Sequence, residues 1–150
     1  MAKVVASAER DIDAPPDEVY GYLADMHQHQ GFLPPAFSDF QIEQGGVGAG
    51  TVTRFKVTAG GRTRVYRMQV SEPVPGQTLV ETDTGSSLVT TWQVTPRGEG
   101  SLVSVTTSWD GAHGIGGFFE RSFAPRAMRR LYLDELDRLN AYAIEQHTAS

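Results

Sequence analysis

The sequence predicts an α+β domain: a curved antiparallel sheet of six or seven strands around a long C-terminal helix, with two short helices after the first strand. Three observations predict it. Runs of five to nine residues with two-residue alternation recur between positions 51 and 109, separated by glycine clusters. A helical period then holds from about residue 115 to 146, long for a globular helix. Too little chain separates the alternating runs for parallel crossovers, so the strands must join as hairpins.

The first strand spans residues 4–12 and stops at Asp13-Ala14-Pro15-Pro16. Proline suits a first helical turn, where amide donors have no partner anyway. Asp17 and Glu18 follow where a helix dipole favours negative charge, and Val19, Tyr22, Leu23 and Met26 follow at helical spacing. Residues 27–35 hold one further turn at most. Phe40-x-Ile42 leads into Gly45-Gly46-Val47-Gly48-Ala49-Gly50, and strands are expected over 51–57, 63–71, 78–84, 87–95 and 101–109. Alternation puts Phe55, Val57, Tyr66, Met68, Val70, Trp92, Val94, Val103, Val105, Thr107 and Trp109 on inner faces. Arg54, Lys56, Arg67, Gln69, Gln93, Ser104 and Ser108 fall on the solvated side. On the long helix, Met128, Leu131, Tyr132, Leu136, Leu139, Tyr142 and Ala143 form one apolar stripe. Arg126, Arg130, Asp134 and Asp137 lie opposite, with Arg130 and Asp134 spaced for an i,i+4 pair.

The chain of 150 residues has the size of one domain, 1–150. It lacks cysteine, so disulfides and thiolate metal sites are excluded. Its net charge of −5, from 13 Lys+Arg and 18 Asp+Glu, argues against nucleic-acid binding. No apolar run reaches the ~18 residues of a membrane span. The N-terminus turns polar within a few residues, unlike a signal peptide. A soluble cytoplasmic protein, monomeric or weakly dimeric, is the expectation.

A single long helix must cover the apolar face of a twisted sheet. Leu136 and Leu139 would close the base. The open end, nearer Met128 and Phe118, has less helix to fill it, so a cavity is expected there. Its candidate ligand-binding residues are Phe55, Tyr66, Met68, Trp92, Thr107, Trp109, Phe118, Met128 and Tyr132, apolar walls with a few polar groups. Tyr66 and Tyr132 each need a polar partner, because an unpaired buried hydroxyl costs roughly 1–3 kcal/mol. For Trp92, plain core packing is the stronger expectation.

These features together resemble the START-like and Bet v 1-like helix-grip superfamily (SRPBCC), especially its bacterial polyketide cyclase/dehydrase branch. The resemblance lies in Ile12-Asp13-Ala14-Pro15-Pro16-Asp17-Glu18-Val19-Tyr20, Leu23-Ala24-Asp25-Met26, Leu33-Pro34, Gly48-Ala49-Gly50-Thr51 and Thr91-Trp92-Gln93-Val94-Thr95-Pro96. Phe32 stands where such proteins often carry tryptophan. The resemblance implies a cavity for a lipid- or polyketide-like molecule, no cofactor, and, if there is activity, that of a polyketide aromatase or cyclase. The motifs are turns, caps and core positions, which specify fold more than chemistry.

Catalytic signatures are sparse. Gly46-Val47-Gly48-Ala49-Gly50 precedes a strand, whereas a dinucleotide loop must open a helix, so it reads as a hairpin turn. Gly114-Ile115-Gly116-Gly117 does open a helix and reads first as a hinge that could gate the cavity. His27 and His29 do not share a helical face, so they read as surface or rim residues rather than metal ligands. His113 with Asp110 could orient a proton, although an ordinary loop is the simpler reading. No Gly-x-Ser-x-Gly elbow occurs. Phe119 and Phe123 share a helical face with Arg126 and Arg130. Either a kink at Pro125 turns them inward, the reading preferred, or they mark a partner surface.

Overall fold

The computed structural model describes residues 3–59, 61–111 and 114–149, and their side chains except at 59, 114–123 and 149. The elements run β1 (Lys3–Ile12), α1 (Pro16–Ala24), α2 (Met26–His29), a 3-10 turn (Gln30–Phe32), β2 (Phe37–Gln44), β3 (Val52–Ala59), β4 (Arg62–Val74), β5 (Thr78–Asp83), β6 (Val89–Arg97), β7 (Gly100–Asp110) and α3 (Gly114–Ala149). Seven antiparallel strands form one sheet in the order β1-β7-β6-β5-β4-β3-β2. Strands β2 to β7 are thus a meander, and β1 closes onto its far end by pairing with β7. No described helix is long and apolar enough to cross a membrane.

Helix α1 starts with Pro15 in extended conformation and Pro16 as its first residue, and Asp17 and Glu18 fill its first turn. Its buried side, Val19, Tyr20, Leu23 and Ala24, packs into the main core. The expected inner face of the sheet is the observed one: Phe55, Val57, Met68, Val70, Trp92, Val94, Val103, Val105 and Thr107 are all buried.

Helix α3 is continuous through Pro125. Leu136, Leu139 and Ala143 are fully buried on it, closing the base as expected. Its C-terminal half is fixed to β1 and the turn beyond by Arg10–Asp137 (3.1 Å) and by the Asp13 amide donating to Asn140 Oδ1 (2.8 Å). The expected Arg130–Asp134 pair is replaced by one a turn further on, in which Arg138 Nε meets Asp134 Oδ1 at 3.0 Å. The orientation with the acid N-terminal to the base suits the helix dipole better. The sequence readings for His113, Phe118, Phe119 and Phe123, including the kink, lie outside the described side chains.

The glycine segment between β2 and β3 is a hairpin loop that also clamps the end of α1. Gly46 O accepts from the Met26 amide (2.8 Å), and the Gly48 amide donates to Ala24 O (3.0 Å). Glu72 of β4 closes the clamp, accepting from the Ala49 amide (2.7 Å) and the Tyr20 hydroxyl (2.7 Å). Gly48 has φ +69°, and a Cβ there would lie 2.4 Å from Glu72 Oε1. Gly48→Ala therefore adds left-handed backbone strain and displaces the Glu72 carboxylate. We expect a loss of about 1–3 kcal/mol in urea unfolding, with Gly50→Ala milder because its Cβ would meet open space.

Candidate functional site

Helix α3 lies alongside β1, so the other half of the concave face is left for other residues to cover. Two apolar clusters result. One joins α1, α2, β1, β5 to β7 and the second half of α3, and the other is Phe55, Val57, Met68 and Leu88 with Phe37, Phe40, Tyr66, Trp109 and Leu131 against it. A cavity lies between the two, with walls from α2, β2 to β6 and α3.

Its outer wall is aromatic. Phe55 is flanked by Phe37 (ring centroids 5.4 Å), Phe40 (5.9 Å, near-parallel) and Tyr66 (5.9 Å). Phe37 and Phe40 have opposite parity and would sit on opposite faces of a regular strand. An irregularity in register between Ser38 and Gln41, with Asp39 at φ 52°, brings both onto Phe55. Near the tip of the β3–β4 hairpin, the Arg64 guanidinium lies close to the Tyr66 hydroxyl. Burial raises the Tyr66 pKa, and Arg64 pulls it back.

The inner end is polar. Glu81, Thr90 and Thr107 are cross-strand partners on β5, β6 and β7, so their side chains share one row of the concave face. Thr90 and Thr107 hydroxyls are 2.8 Å apart, and the Tyr132 hydroxyl from α3 bonds Thr107. Burial pushes the Tyr132 pKa far up, which keeps it a neutral phenol. Trp92 Nε1 donates to Glu81 Oε2 at 2.9 Å. Among the described residues, Glu81 Oε1 has no hydrogen-bond partner.

Above this row sits a buried pair. His29 Nε2 and Glu135 Oε2 are 2.9 Å apart, and the residues are 3% and 2% exposed. His29 Nδ1 lies 2.9 Å from the Leu23 carbonyl, which can only accept, so Nδ1 carries a proton. The remaining contact then holds one proton between Nε2 and Oε2, either as imidazolium–carboxylate or as imidazole–carboxylic acid. The pair is neutral overall in both forms. Burial alone would lower the His29 pKa, but the hydrogen bond and charge of Glu135, aided by Glu81, hold it above the ordinary range. Burial raises the Glu135 pKa, and His29 offsets this in part. The imidazole is stacked on Phe32 (4.8 Å) and meets the edge of Trp92 (5.5 Å).

Among the expected ligand-binding residues, Phe55, Tyr66, Met68, Trp92, Met128 and Tyr132 line this cavity. Thr107 stands behind Tyr132 as its hydrogen-bond partner, and Trp109 packs on the neighbouring apolar cluster. Phe118 lies outside the described side chains. The reading of His29 as a surface or rim residue is overturned, because α2 is one turn long and its last residue points back under the sheet. His27 is exposed and lies over Gly46 of the hairpin loop. Glu81 and Glu135 escaped the sequence reading. Both stood on apolar faces, Glu81 two residues from Leu79 and Glu135 three from Tyr132 and four from Leu139. A carboxylate breaking an apolar stripe was the available signal.

The cavity leaves about 50 Å3 for the centres of water-sized molecules, within about 560 Å3 of unfilled space that includes its mouth. That is room for roughly three to five waters, so the cavity admits a ring or a chain end. A wider hollow of about 290 Å3 by the same measure lies between Asp39, Gln41, Arg54, Lys56 and Val65. Its charged, exposed walls offer little apolar surface, so the aromatic cavity is the candidate site. No group of three His, Asp or Glu among the described residues could hold a metal ion.

A sheet gripping a long helix over an aromatic cavity defines a helix-grip protein. The chain belongs to the polyketide cyclase/dehydrase and lipid transport family, whose model matches residues 1–143. The KanY protein, solved by NMR, is 37% identical over 95% of this chain and 99% of its own, with a TM-score of 0.85. TTHA0849 from Thermus thermophilus is 22% identical over 95% and 98% (TM-score 0.80). The Zhui aromatase/cyclase from Streptomyces sp. R1128 is 17% identical over 97% and 96% (TM-score 0.77). At those last two identities the likeness speaks for fold alone. No curated protein matches the chain.

Proposed function

We propose that the protein binds a small hydrophobic or aromatic molecule, lipid- or polyketide-like, in the cavity between the β2–β6 wall and α3. One observation carries this reading: an aromatic wall left partly unfilled, with carboxyl and hydroxyl groups gathered at its inner end. Each 100 Å2 of apolar ligand surface covered contributes about 2.5 kcal/mol before association costs, so micromolar affinity is within reach of burial alone. The neutral probe N-phenyl-1-naphthylamine should bind saturably, one per chain, with fluorescence enhancement. Val57→Trp, which fills the aromatic end, should weaken it at least tenfold. Absence of saturable uptake by the unmodified protein, with no co-purifying molecule in native mass spectrometry, would overturn the proposal.

A second reading, aromatase/cyclase-type chemistry in the same cavity, is favoured by the proton held between His29 and Glu135. A buried proton shared by two groups of raised pKa, beside the neutral phenol of Tyr132, is placed for general acid–base transfer. Its test is turnover of a polyketide-like chain by Glu135→Gln, which keeps the contact and removes the transferable proton. Unchanged turnover would discard it.

A further inference from the structure

We infer that the ligand carries a hydrogen-bond donor, in its strongest form a protonated amine, on the end that enters first. This rests on the binding proposal above and adds the chemical class of the ligand. The argument begins with Glu81. Two residues further along β5, Asp83 is also buried, but both of its oxygens are used: Oδ1 accepts from the Arg67 amide (3.0 Å) and Oδ2 from the Ser86 hydroxyl (2.6 Å). Asp83 is satisfied by the strand and loop beside it and needs nothing more. Glu81 is 8% exposed and lines the cavity, yet it receives only the Trp92 indole N–H among the described residues. A carboxylate offers about four lone-pair sites, and those of Glu81 that line the cavity are open to a donor carried by a ligand.

Neighbouring groups do not make up the deficit. The proton of the His29–Glu135 pair is engaged between those two residues, leaving the pair neutral. Among the described residues no lysine or arginine forms an ion pair with Glu81 or Glu135, and Glu135 Oε1 also has no hydrogen-bond partner. The Thr90 and Tyr132 hydroxyls are both engaged with Thr107, so the carboxyl groups are the strongest acceptors at the inner end. Polarity reverses at the mouth: Arg64 and Tyr66 lie near the hairpin tip, whereas Glu81 pairs with Val70, four residues further down β4. At 3.3 Å per residue the two ends differ in depth by ~13 Å. A ligand with a donor at its leading end and an apolar ring behind it matches this gradient. A fatty acid entering head-first does not.

Three one-ring probes separate the possibilities: benzylamine, toluene and benzoate. The indole N–H of Trp92 reports directly in 15N–1H spectra, assigned against Trp109→Phe. Benzylamine should bind at least fivefold more tightly than toluene, with benzoate weakest, and should shift the Trp92 indole signal. Glu81→Gln keeps an acceptor for the indole and so preserves the fold. It should bring benzylamine within about twofold of toluene while leaving toluene unchanged. Benzoate binding as well as benzylamine, or a benzylamine preference that survives Glu81→Gln, would overturn the inference and leave the binding proposal intact. Failure of all three probes and of N-phenyl-1-naphthylamine would remove both.

Discussion

His29→Leu alone lowers stability by about 3–5 kcal/mol, whereas His29→Leu combined with Glu135→Met costs much less, a comparison made directly by urea unfolding. The single change leaves the buried Glu135 carboxyl without its partner, and a buried ion-pair member left alone is expensive. The group can escape only by protonating, which itself costs free energy at neutral pH. The double change removes both polar groups from a site already walled by Phe32 and Trp92, where apolar side chains of similar volume are at home. A double variant as unstable as the single one would mean that packing around His29, rather than the shared proton, holds this corner.

The same pair sets a pH dependence with a definite sign. The folded protein raises the His29 pKa above the ordinary 6.5, because Glu135 and Glu81 outweigh the opposing effect of burial. The folded state therefore binds the proton more tightly than the unfolded chain. This stabilisation is fully present below pH 6.5 and is lost as pH rises through the folded value. Glu135 shares this same proton, so the pair titrates as one unit and Glu135 adds no separate contribution. Glu135→Gln, which donates an amide N–H to a neutral imidazole, should flatten the slope above pH 6.5.

The architecture was legible because it is written in periodicity. The glycine loops fix the hairpins, Pro15 and Pro16 start α1, and the stripe from Met128 to Ala143 requires a sheet to cover it. Six expected cavity residues were legible for the same reason, since alternation assigns a face to Phe55, Tyr66, Met68 and Trp92, and helical spacing assigns Met128 and Tyr132. The polar centre was not. His29 acts through a residue 106 positions away, and no local spacing records that distance. Phe37 came inward through a strand irregularity that simple alternation cannot foresee. Glu81 and Glu135 look like surface residues until the apolar company they keep is counted.

Trp92→Ala is the other large effect, about 3–5 kcal/mol, because the indole is 2% exposed and touches His29 and Tyr132 edge-on. Two causes contribute, and they can be separated. The ring fills volume, and its N–H is the single donor Glu81 receives among the described residues. Trp92→Phe retains most of the ring and loses the donor, so it should cost about 1–3 kcal/mol in the native background. In a Glu81→Leu background the same substitution should cost at least about 1 kcal/mol less, since no acceptor remains to be orphaned. Equal losses in both backgrounds would assign the whole effect to packing. A coupling of the expected size would instead make Trp92 the group that keeps Glu81 tolerable in an empty cavity, and an amine-bearing ligand should then rescue Trp92→Phe more than it stabilises the unmodified protein.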